Sequence, residues 1–117
     1  MTVDDFIGAV HAEAGLLPFV TAVVVADRTD YAAKILLTVR PDLFVQMDAN
    51  VETGTRGYAL VYRGQRVYGR DCDTHGWHRH PAGSPMAHDD STEGRRPVEV
   101  AEFLREVQDV LEEEGLL

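Results

Sequence analysis

The chain has 117 residues, a formal charge of −9 and a single cysteine, Cys72. That length fits one domain around one core. The acidic balance excludes a protein that coats nucleic acid or anionic membrane by net charge, though not a local basic patch. The lone cysteine excludes an internal disulfide. No apolar run approaches the roughly 18–20 residues of a membrane-spanning helix, and Asp4 and Asp5 stand where a secretory signal would carry basic residues. A cytoplasmic protein without membrane contact is expected.

Thr2 can cap a first helix, with Asp4 and Asp5 at the positive end of its dipole. Val3, Phe6, Ile7, Val10 and Ala14 recur at helical spacing, and Gly15 and Pro18 end the run. From Phe19 to Cys72 the period becomes that of strands. Five are predicted: Val20–Ala26, Ile35–Val39, Leu43–Ala49, Tyr58–Tyr62 and Arg66–Cys72. Turn residues separate them at Asp27–Asp30, Pro41-Asp42, Thr53-Gly54 and Gly64-Gln65. With no helix between, they read as an antiparallel meander. A two-residue loop at Gly64-Gln65 would place Tyr58, Leu60, Tyr62 and Asp71 inward, and Arg63, Arg66, Tyr68 and Arg70 on a wet face. Residues 73–96 lack a period and read as a long His-rich loop, of the kind that is functional or mobile. Pro97 fits the first position of a last helix, with Val100, Phe103, Leu104, Val107, Val110 and Leu111 as its apolar stripe and Gly115 beyond its end. The expected fold is α+β over residues 1–117: a curved antiparallel sheet of about five strands with both terminal helices packed on one face.

Charge is segregated. Residues 56–96 hold seven arginines and no lysine against five acidic residues, whereas both flanks are strongly acidic. Guanidinium groups pair with phosphate in a planar fork, so Arg63, Arg66, Arg70 and Arg79, with Tyr68 to stack a base, form a candidate RNA surface. The competing expectation is that these arginines pair with the chain's own carboxylates.

Four of the five histidines, His75, His78, His80 and His88, fall within fourteen residues. Side chains alternate along an extended segment, so His78 and His80 would share a face. In one reading these two imidazoles cleave RNA without a metal. One takes the 2′-hydroxyl proton, the other protonates the leaving oxygen, and arginine neutralises the phosphorane. In another, three histidines drawn from His75, His78, His80 and His88, with Asp71, Asp73 or the Cys72 thiolate, supply a zinc or iron coordination set. In a third, the loop is simply rich in histidine.

The order of Tyr-rich strands, the Arg70-Asp71 pair, Trp77 with His78 and His80-Pro81, a polar loop and a Pro97-started helix resembles the TumE-like toxin components of toxin–antitoxin systems over residues 31–114. Family members often carry an adjacent histidine pair and a third soon after; this chain has His78-Arg79-His80, with His75 before and His88 later. The resemblance implies a small α+β fold, an antitoxin partner, a nucleic-acid target, and site roles for Arg70, Asp71, His78 and His80. A non-enzymatic protein-binding module is the alternative from a different class, and an exposed edge strand makes a homodimer plausible.

Overall fold

A computed structural model describes all 117 residues. Helix α1 (Val3–Ala14) is followed by strands β1 (Ala22–Arg28), β2 (Ala32–Arg40), β3 (Leu43–Asn50), β4 (Arg56–Tyr62), β5 (Gln65–Asp73) and β6 (Gly76–His80), and the chain closes with α2 (Val100–Glu113). The strands form one antiparallel sheet in chain order. Thr2 caps α1 as expected: its hydroxyl accepts from the Asp5 amide, and its own amide donates to the Asp5 carboxylate. Neither helix is long and apolar enough to cross a membrane.

Both helices cover the same face of the sheet. Phe6 and Val10 of α1, and Phe103, Leu104, Val107 and Leu111 of α2, bury against Ile35, Leu37, Val45, Met47, Tyr58 and Leu60. The Tyr58 ring lies 6.5 Å from Phe6 and 5.2 Å from Phe103, and so joins the two helices across the sheet. The other face carries no helix.

Three expectations are corrected. The sheet has six strands, because the segment read as the start of a long loop supplies β6. Trp77 holds that strand down on the helix side, 6.1 Å from Tyr58, while its backbone pairs with β5. The second concerns the β4–β5 turn, which lies at Arg63-Gly64 with φ of 51° and 77°. A turn with both central residues left-handed matches the twist of paired strands, and the Arg63 amide is anchored on the Asp42 carbonyl. A bulge past Arg66 then shifts the pairing by one, so Leu60 opposes Tyr68 and Tyr58 opposes Arg70. A one-residue slip exchanges faces. Tyr68 and Arg70 therefore point at the helices, and Asp71 points to the open face, the reverse of the expected register. Finally, α2 begins at Val100 rather than Pro97. Glu99 caps it, with the Glu99 amide donating to Glu102, while Val98 is buried ahead of the cap.

Candidate metal centre

The open face carries one row of residues across all six strands: Asp27, Lys34, Asp48, Gly57, Asp71 and His78 lie in register. In the adjoining row, Gln46, Ala59, Gly69 and His80 are aligned. Small residues in the middle, Gly57 and Ala59, leave a trough. It is part of a polar cleft of about 690 Å³ with His78, His80 and His88 among its walls.

Those three imidazoles converge. Ring centroids are 5.1 Å apart for His78 and His80, and 4.9 Å for His88 to either. Their donor nitrogens all lie within 4.8 Å of one another. Neighbouring nitrogens on a tetrahedral zinc, at bonds of ~2.0–2.1 Å, would stand roughly 3.3 Å apart. The widest nitrogen separation thus exceeds what one ion requires by about 1.5 Å at most.

Strand alternation delivers His78 and His80 to this face together, as the sequence suggests. His88 comes from the loop after β6. Asp89 forms an antiparallel bridge with Arg79, its amide donating to the Arg79 carbonyl at 2.8 Å. The Arg79 guanidinium also holds the Asp89 carboxylate, with Nε to Oδ2 at 2.9 Å. Hydrogen bonds from Ser91, then Arg79, bring the Asp89 carboxyl down to about 2. With Asp89 pinned to Arg79, His88 falls on the opposite side, beside the other two rings.

His80 is the most constrained of the three, only 7% exposed. Its Nδ1 lies 2.9 Å from the Pro85 carbonyl oxygen. A carbonyl only accepts, so Nδ1 carries a proton, and in the neutral ring Nε2 then carries the lone pair. Nε2 sits 3.1 Å from Asp71 Oδ2. Burial first, and then the Arg66 charge, push the His80 pKa below its ordinary value, which favours the neutral ring. A lone pair and a carboxylate oxygen at that distance repel unless a cation, either a proton or a metal ion, lies between or beside them. His78 Nε2 is 3.6 Å from the same oxygen.

Asp71 itself is fixed by Arg66, whose Nη1 and Nη2 donate to its two oxygens at 3.0 and 2.7 Å, Nη2 donating also to the Tyr58 carbonyl. The guanidinium lies flat over Gly69. A β-carbon there would meet Arg66 Nη2 at 2.0 Å. Arg66 Nε is buried without a partner.

The remaining arginines do not form an RNA surface with these rings. Arg70 is fully buried on the helix side, where its guanidinium donates to Glu106 at 3.0 and 2.9 Å and to Glu93 at 3.0 Å. Burial works against its charge, the Glu106 contacts outweigh that, and its pKa rises. The Tyr68 hydroxyl donates to Glu106 at 2.6 Å, and burial, reinforced by that carboxylate, moves its pKa to about 12. Arg63 caps the β4–β5 turn, 5.0 Å above the Tyr62 ring and paired with Asp42. Arg79 is the clamp on Asp89. Arg96 binds Glu93, Glu102 and Glu106. Internal pairing, the competing expectation, describes these arginines. His75 lies exposed in the β5–β6 turn and is not one of the converging three. Pro85, Gly69, Gly57 and Asp89 also shape the site. Their roles come from contacts between distant segments, and no local motif marks them.

No protein-family model, curated protein or solved structure matches this chain.

Proposed function

We propose that the protein is a small metalloprotein holding one divalent transition ion between His78, His80 and His88, with Asp71 beside it. Zinc is the first choice. Three neutral imidazoles with an adjacent carboxylate and no thiolate suit it, and Cys72 lies on the other side of the sheet. The observation that carries this reading is the approach of His80 Nε2 to Asp71 while Nδ1 is tied to Pro85. That is the arrangement by which a second contact orients a ligating histidine. Equilibrium dialysis of the full chain against zinc, read by elemental analysis, should give one zinc per chain. The His78→Ala/His80→Ala double variant should give none. Less than stoichiometric zinc in the parent, or equal zinc in the variant, overturns it.

A second reading uses the same rings without an ion: acid–base cleavage of RNA by His78 and His80, with Arg66 near the phosphate. Arg66 favours it, since it touches the carboxylate that both rings face. The TumE-like resemblance, with its antitoxin partner, belongs to this reading. It requires metal-free protein to cleave RNA and the double histidine variant to lose that cleavage. Cleavage that survives in the variant removes it.

A further inference from the structure

We infer that the ion at His78, His80 and His88 keeps one coordination position open to the cleft, and that a small oxyanion fills it. This rests on the metal centre proposed above. Three neutral imidazoles leave a divalent ion with its full charge. The nearest carboxylate does not cancel it, because Asp71 is already neutralised in a two-point pair with Arg66. Arg66 cannot easily leave: it is also bonded to the Tyr58 carbonyl and lies flat on Gly69. The centre therefore presents uncompensated positive charge to the cleft, and an anionic oxygen is the ligand that completes the shell.

Space for that ligand lies in the trough. Around the position a Gly57 β-carbon would take, the nearest atoms are Asp71 Oδ1 at 3.8 Å and Asp48 Cβ and Oδ2 at 3.9 Å. The two carboxylates come from strands about 9–10 Å apart and stand on either side of that position at ordinary contact distance. The far part of the row holds Asp27 and Asp48 around a single cation, Lys34. Asp48 also accepts from Gln46. Negative charge is thus welcome at the histidine end and opposed farther along. A phosphate or carboxylate group on a small molecule fits that gradient, whereas a polyanionic strand running along the trough does not.

Cobalt(II) in place of zinc reports this position, since its visible absorption changes with coordination number and ligand. The cobalt-loaded full chain is titrated separately with inorganic phosphate, acetate and a short oligoribonucleotide, with sodium chloride as the ionic-strength control. A saturable spectral change with phosphate or acetate is expected, and the tighter of the two identifies the kind of oxyanion. Gly57→Leu, which fills the trough, should weaken that anion at least tenfold when read with cobalt at saturation. Gly57→Ala should behave in the same direction with a smaller effect. Cobalt bound with no response to either anion means a closed shell and overturns this inference alone. An oligoribonucleotide binding tenfold more tightly than phosphate overturns the small-anion assignment. Failure of the chain to bind cobalt or zinc at all overturns the metal centre as well.

Discussion

Arg70 and Asp71 are neighbours in the chain and lie on opposite faces of the sheet. Arg70 points into the helix side, wholly buried against Glu106 and Glu93. Asp71 points to the open face, 3.1 Å from His80. Two adjacent substitutions should therefore have separable effects. Arg70→Ala removes the wholly buried cation and leaves Glu106 with only the Tyr68 hydroxyl and Arg96, and breaking a buried ion pair costs about 3–5 kcal/mol. Urea unfolding should register that loss. Asp71→Asn loosens a part-buried pair with Arg66 and keeps the side chain's shape, yet it should lower zinc affinity at least about tenfold, because a neutral amide then replaces the carboxylate beside the ion and leaves the Arg66 charge unbalanced. If the two phenotypes are exchanged, the assignment of faces is wrong.

The flat seat of Arg66 makes a glycine matter where no unusual backbone angle is involved. At Gly69 a methyl group would overlap the guanidinium. Gly69→Ala should push Arg66 off Asp71 and the Tyr58 carbonyl, freeing the carboxylate to close on the ion. The variant should still fold, because the displaced group is the end of a flexible side chain. In the cobalt-loaded protein its spectrum should no longer respond to anions. A variant with the parent's anion response shows that Arg66 does not keep the position open.

How much of this was readable in advance follows from which signals are local. The helical stripe at Val3, Phe6 and Val10 and the apolar strands gave the α+β fold, since burial imposes a period on the sequence. The face of Arg70 depends on a bulge between Arg66 and Tyr68 that no residue announces. The sixth strand leaves no periodic signal, because Gly76–His80 carries one apolar residue, Trp77, too few to set a period. His78 and His80 were correctly placed on one face by alternation alone. His88 joins them only because Asp89 pairs with Arg79 across the intervening loop, a contact that sequence order does not reveal.

That contact yields a test of its own. Asp89→Ala removes the carboxylate that Arg79 holds and the acceptor of the Ser91 amide. His88, carried by this segment, is then held only by the backbone bridge to Arg79 and should approach the other rings less firmly. Zinc affinity should fall by up to about tenfold, the low end of the effect of losing a group behind a metal ligand, with His78 and His80 still in place on β6. Nuclear magnetic resonance of the ring nitrogens, recorded on zinc titration, would show two histidines perturbed strongly and the third weakly. Undiminished affinity would mean that His88 reaches the ion without its clamp.

Acid should destabilise the metal-free protein in a stage that belongs to His80. Its pKa is lowered in the fold, chiefly by burial and secondarily by Arg66, so the unfolded chain takes up the proton first as pH falls. The folded state is then fully favoured above the ordinary histidine value near 6.5, and loses stability as pH drops through the lowered value. The carboxyls of Asp89 and Glu93, both held at about 2, contribute a further loss with the same sign, confined to the range below their ordinary values of 3.8 and 4.5. The two stages separate on the pH axis. Urea midpoints measured with a chelator present should fall from pH 7 to pH 5 in the parent and stay flatter in His80→Asn, whose amide can still donate to the Pro85 carbonyl. Parallel curves over that interval would place the titrating group elsewhere, and with it the neutral ring on which the approach of Nε2 to Asp71 depends.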